Sequence, residues 1–245
     1  MRFRENKNQC IRKEVKMERY NLITEKNPRE IVLLQSFPCA WGKCRFCDYT
    51  DDNSRDRASM VELNRQILSR VTGSLGVLEV INSGSCFELP KETLEDIRNI
   101  VREKNIRKLF FEAHWIYRKR LDEMREFFGI QIVYKTGAET FDYDFREHYL
   151  NKHADFQDAE ELSRYFDSPC LMVGIKGQTK EMIRNDIALL KRYFKLGTIN
   201  VFTNNTTDVK RDEDLVKWFL EEFRYLEEDP SVEVLYENTD FGVGD

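Results

Sequence analysis

A chain of 245 residues, 41% hydrophobic and 12% aromatic, holds the material for one large domain, at a size where α/β barrels fold as single units. Its 39 basic and 44 acidic residues leave a net charge of −5, which argues against an extended nucleic-acid surface, because phosphate binding needs concentrated Lys and Arg. No run approaches the ~18 apolar residues of a membrane span, and the segment from Met1 to Lys7 is charged with no apolar stretch behind it. Neither a membrane anchor nor a secretory signal is expected, and a reducing, cytoplasmic setting follows.

Residues 1–28 are polar and read as an N-terminal extension with a short helix over 11–20, closed by Pro28. Residues 29–245 read as a single domain. Short runs rich in β-branched and aromatic residues predict strands over 31–37, 76–82, 108–113, 130–136, 170–175, 199–204 and 232–236. Helical stripes fall between them. Met60, Leu63, Ile67 and Val71 make the first, and Leu94, Ile97 and Val101 the second, with Pro90 as a helix-starting residue. Leu121, Met124 and Phe128 follow, and residues 142–167 carry one or two helices. Ile183, Ile187, Leu190 and Phe194, then Val216, Phe219, Leu220 and Phe223, complete the series.

Strand–helix units in succession imply a parallel sheet with right-handed crossovers, either open and doubly wound or curled into a partial barrel. In both, ligands bind at the carboxyl ends of the strands. The most informative strand end is the first, which leads into Cys39-x4-Cys44-x2-Cys47. Three thiolates at this spacing in a reducing setting point to a metal or cluster. Structural zinc would need a fourth ligand from Cys86, Cys170 or His114. A ferredoxin-type cluster would need a fourth cysteine, with Cys86 as the candidate, making an electron-transfer or structural metal protein. A three-cysteine 4Fe–4S site leaves one iron open.

The last arrangement, with Phe46 directly before Cys47, resembles the radical S-adenosylmethionine (SAM) superfamily. That superfamily more often separates its first two cysteines by three residues; here the gap is four. Ser83-Gly84-Ser85 after the second strand, Glu139 after the fourth and Gly174-Ile175-Lys176-Gly177 after the fifth match positions where the superfamily binds SAM. The resemblance implies an α/β fold, a partial (β/α)6 barrel of parallel strands with outer helices and an extra C-terminal strand. It implies a 4Fe–4S cluster on Cys39, Cys44 and Cys47, and SAM held by Phe46, Ser83, Gly84, Ser85, Glu139 and Lys176. It also implies an external one-electron donor such as flavodoxin or ferredoxin.

Remaining strand ends supply substrate candidates: Asp48, Tyr49, Glu112, His114, Asn204 and Asp240. Acidic groups suit the exocyclic amines of a base. Cys10, Cys170, His148 and His153 carry no expected role. With no added cluster or RNA-binding domain in view, a small-molecule substrate is favoured. The stretch from Ser36 to Asn53 is similar to the bacterial queuine-salvage lyases of the superfamily. That likeness implies a carbon–nitrogen lyase releasing the deazaguanine base queuine from queuosine 5′-phosphate, beginning with hydrogen abstraction from the sugar. An archaeosine-type lyase of modified-nucleoside metabolism is the alternative.

Overall fold

The computed structural model describes residues 17–237 and 239–244. Cys10 and the start of the helix expected over 11–20 lie outside them. From residue 17 onward that segment is extended, and it contributes a strand that the polar lead-in did not suggest. Eight strands form one sheet in chain order: β1 (Tyr20–Ile23), β2 (Arg29–Leu34), β3 (Val77–Asn82), β4 (Lys108–Glu112), β5 (Gln131–Glu139), β6 (Ser168–Val173), β7 (Gly197–Val201) and β8 (Val232–Leu235). β1 lies antiparallel on β2, and every later neighbour is parallel.

Six helical crossovers join the parallel strands. α1 (Arg57–Leu68), α2 (Lys91–Glu103), α3 (Leu121–Phe128), α5 (Lys180–Tyr193) and α6 (Glu213–Glu222) are regular. The connection between β5 and β6 holds a π-turn at Phe145–Tyr149 and a short α4 (Ala159–Ser163). Side-chain caps start several helices: Asp56, Asp158, Thr179 and Asp212 accept from backbone N–H groups in the first turns of α1, α4, α5 and α6. Gly129 ends α3 in the left-handed region. Pro90 stands one residue ahead of α2, at its cap position. Leu220, assigned to an apolar stripe by period, faces outward.

The sheet presents two different faces. One packs under the helices and buries Val32, Leu34, Val80, Leu109, Phe111, Ile132, Leu171, Val173 and Ile199 in a continuous apolar core. The other carries charge. Arg29 on β2 meets Glu79 on β3 and, at 2.7 Å, Glu233 on β8. Lys135 on β5 reaches Glu79 at 2.6 Å. Because β2 and β8 stand far apart in strand order, their ion pair requires the sheet to curl, and the charged face is the concave one. This is the expected partial barrel. Burial works against the Glu79 charge, yet Lys135 and Arg29 hold its carboxyl below the usual range.

A strap closes the open side between β8 and β1. Asn21 Nδ2 donates to the Phe241 carbonyl at 2.8 Å, and Glu18 and Gly244 form an antiparallel bridge. The Phe241 ring stands 5.0 Å from both the Arg29 guanidinium and the Lys135 ammonium. No helix among the described residues is long and apolar enough to cross a membrane.

Candidate functional site

The loop after β2 carries Cys39, Cys44 and Cys47, all half-buried. It is clamped on two sides. Trp41 Nε1 donates to the Asn151 carbonyl at 2.8 Å, Asn151 Nδ2 donates to the Lys43 carbonyl at 2.7 Å, and Arg45 N–H donates to the Leu150 carbonyl at 2.9 Å. The Trp41 and His153 rings stack at 4.1 Å. On the opposite side Asn205 Nδ2 donates to the Phe46 carbonyl at 2.7 Å. The Asp48 carboxylate accepts from Asn205 Nδ2, Thr206 N–H and Thr206 Oγ1, each at 3.2 Å. Asp48 therefore fastens the loop to the residues after β7. Phe46 is buried among Phe145, Leu150, Met172, Ile175 and Phe202, so it anchors the loop through packing.

Burial pushes the Cys44 thiol up to about 12 and raises Cys47 as well, while the Lys152 ammonium draws both the other way. Among the described residues no three Cys, His, Asp or Glu side chains close around a single-ion site. Cys86 is fully buried in the apolar core beneath the helices. That removes it as a fourth ligand, and with it the ferredoxin-like alternative. The three loop thiols, on one nine-residue loop with Cys44 and Cys47 close enough to Lys152 to feel its charge, suit a polynuclear cluster with one unligated metal.

Lys152, which sequence reading missed, stands beside the cysteine loop. It is 8% exposed; its Nζ donates to Glu139 Oε1 at 2.6 Å and lies 5.5 Å from the Phe46 ring centroid. Burial opposes its charge, but Glu139 and then Cys44 hold its pKa above the ordinary lysine range. Glu139 sits at a bulge in β5 with φ of +63°, the left-handed region, which turns its carboxylate toward Lys152. Gly137 leaves room for the pair, since a Cβ there would overlap the Glu139 carboxylate and stand 2.6 Å from Lys152 Nζ. Arg146, fully buried, builds the irregular segment that delivers Lys152: it donates to the Thr140 carbonyl at 3.0 Å and the Ala154 carbonyl at 2.9 Å.

The Ser83-Gly84-Ser85 turn is shaped by Glu88. The Glu88 carboxylate accepts from the Ser85 N–H, from Ala40 N–H at 3.1 Å and from the Tyr117 hydroxyl at 2.8 Å. Ser85 and Glu88 form a capping box, a pattern readable as S-x-x-E in the sequence. A Cβ on Gly84 would lie 2.8 Å from Glu88 Oε2. Ser83 is half-buried, whereas Ser85 is fully buried and its Oγ accepts from His114 N–H at 2.9 Å.

His114 is committed as well. Its Nε2 lies 2.9 Å from the Lys152 carbonyl and its Nδ1 accepts from Ile116 N–H. Burial, with the Lys152 charge second, pulls its pKa down to about 3, which fixes a neutral ring. Asp240 caps a turn, accepting from the Tyr236 and Glu237 N–H groups, and Asn204 Oδ1 accepts from Arg211 N–H at 2.9 Å. Asp48, His114, Asn204 and Asp240 thus each have partners within the protein. Lys176 is exposed and meets the fold through its backbone, donating to the Lys210 carbonyl at 2.8 Å. Tyr49 is 53% exposed at the rim, and Glu112 stands half-buried at the carboxyl end of β4.

No protein-family model matches the chain, and no curated protein does. Among solved structures, a queuine lyase from Clostridium spiroforme bound to SAM and queuine is 55% identical, with a TM-score of 0.92 over 94% of this chain and 100% of that one. Streptococcus suis SuiB bound to S-adenosylmethionine is 12% identical, with a TM-score of 0.54 over 86% of this chain and 47% of that one, a likeness of fold alone.

Proposed function

The chain belongs to the queuine lyases of the radical SAM superfamily, and from that membership we propose that it releases queuine from queuosine 5′-phosphate by cleaving the bond between base and sugar. One observation carries the reading: 55% identity across the full length of a queuine lyase bound to SAM and queuine. The three thiols after β2 fit a 4Fe–4S cluster, with Cys39, Cys44 and Cys47 as its ligands. When bound, cluster and SAM together supply a 5′-deoxyadenosyl radical, given one electron from an external donor of the flavodoxin or ferredoxin kind.

The chain's own residues hold and orient. Asp48, Asn205, Asn151 and Trp41 fix the cysteine loop in place before any ligand arrives. Lys152 offers a buried positive charge next to the thiols, suited to the carboxylate of SAM and to the negative charge of a thiolate-ligated cluster. Glu139 aims that ammonium. Gly84 leaves room for the Glu88 carboxylate that shapes its turn, and Gly137 for the Glu139–Lys152 pair. The concave face below orients the nucleotide, and the Phe241 strap limits water from the side.

The test is anaerobic reconstitution with iron and sulfide, followed by SAM, reductant and queuosine 5′-phosphate. Queuine and 5′-deoxyadenosine are expected together, and neither in a Cys39→Ala, Cys44→Ala or Cys47→Ala variant. Formation of 5′-deoxyadenosine without queuine would sink the substrate assignment.

A further inference from the structure

The concave face carries acidic groups from several strands, and nearly all have their donors. Glu79 is held by Arg29 and Lys135, Glu139 by Lys152, Glu88 by three donors, and Asp48 and Asp240 by loop groups. Glu112 differs. It pairs in register with Lys135, whose side chain crosses the concave face to Glu79, so Glu112 shares that face one step nearer the mouth. Among the described residues no hydrogen bond reaches its carboxyl. Burial raises its pKa, the Lys135 charge opposes this, and Glu79 adds to it. A half-buried carboxyl without protein donors keeps its acceptors open to a ligand that brings donors.

A second observation points to the same ligand. Thr198, 2% exposed, pairs in register with Cys170 on one side and Glu233 on the other, so its side chain also faces the concavity. Its Oγ1 is buried with no partner among the described residues. Asn200, two residues on, donates its amide to Cys170 Sγ at 3.2 Å, and its Oδ1 is likewise unpartnered. The Glu112 carboxyl on β4 and the Thr198 and Asn200 oxygens on β7 thus lie on the concave face with no hydrogen-bond donor among the described residues. Their complement is a neutral, donor-rich ligand.

We propose that Glu112 is the residue that recognises the 7-deazaguanine base, its two carboxylate oxygens accepting the parallel N–H groups of ring N1 and the exocyclic 2-amine. The assignment rests on the queuine lyase reading above. A carboxylate is an acceptor-only fork, and two adjacent N–H donors on a planar edge satisfy both of its oxygens at once. Thr198 and Asn200 take donors elsewhere on the same ligand. Amide replacement at Glu112 removes one acceptor and adds a donor that opposes the base edge.

The experiment measures binding to the cluster-reconstituted protein with SAM present and reductant withheld, so that nothing turns over. The probes are queuine, 7-deazaguanine and 7-deazahypoxanthine, the last two differing by the 2-amine alone. Wild type is expected to prefer 7-deazaguanine by ~10- to 100-fold, the range of a bidentate base contact. Glu112→Gln is expected to reduce that preference to within ~3-fold and to weaken queuine ~10-fold or more, with SAM affinity unchanged. Glu112→Asp keeps the carboxylate, should retain part of the preference, and carries the test if the glutamine variant fails to fold. An unchanged preference in the Gln variant, or no preference in wild type, overturns the assignment alone. Wild type that binds SAM but not queuine overturns the functional reading and this assignment with it.

Discussion

The two faces of the sheet solve opposite problems with the same strands. Under the helices, Leu109 and Phe111 of β4 exclude water and bury apolar area without needing any particular partner. On the concave face, Glu79 of the neighbouring β3 depends on specific partners, Arg29 and Lys135, and Glu112 of β4 has no hydrogen-bond donor among the described residues. The comparison teaches that stability and specificity are divided by side-chain alternation along a strand. One face tolerates any filling of the right volume, while the other works only with the right donors and acceptors.

Substitutions can break this division. The largest effect is expected at Phe111, fully buried beneath the helices. Phe111→Ala should destabilise the protein by ~3–5 kcal/mol in denaturant unfolding. A soluble variant should still bind SAM at saturating concentration, and loss of SAM binding in a folded Phe111→Ala protein would refute the division.

Gly137→Ala is the converse. The added methyl would collide with the Glu139–Lys152 pair and force it apart. Stability should fall by only ~1–3 kcal/mol, whereas SAM affinity of the reconstituted protein, measured by equilibrium dialysis, should fall ~10-fold, about 1.4 kcal/mol. Equal affinity in mutant and wild type would show that the pair does not face the cofactor.

A pH-dependent effect sharpens the comparison from within the apolar layer. Asp186 on α5 is 2% exposed and accepts from Phe141 N–H at 2.7 Å, and burial pushes its carboxyl up to about 7. The native state therefore holds a proton that the unfolded chain releases near the ordinary aspartate value. Its contribution to stability is most favourable at low pH and is lost as pH rises to about 7. Urea midpoints measured from pH 4 to 8 should decline over that range more steeply for wild type than for Asp186→Asn, and parallel curves would contradict the shift.

Much of the fold was legible because seven strands are apolar runs long enough to stand out between helical periods. β1 was not, because it is four partly exposed residues whose one strand partner among the described residues is β2. In the site, the cysteines declared themselves through spacing. Lys152 did not, because its approach to Glu139 depends on a π-turn, left-handed Asn151 and His153, and the buried Arg146, none of which has a periodic signal. The loop partners of Asp48 and Asp240 were hidden for a related reason. A carboxylate looks free in a sequence until the loop that satisfies it is known. Glu88 could have been found through its capping box, which was overlooked in favour of the glycine beside it.

The strap between β8 and β1 bears on how the molecule is assembled. Neighbouring strands pair across single crossovers, so most of the sheet can form progressively as the chain emerges from synthesis. The bond from Asn21 to Phe241 joins residues 220 apart and must wait for nearly all the rest. Until then the polar trough stays open along its side, and Arg29 and Lys135 lack the Phe241 ring against them. Completion of the binding chamber is thereby a late folding event. A partly made chain would present a nearly complete outer shell around a site that cannot yet exclude water.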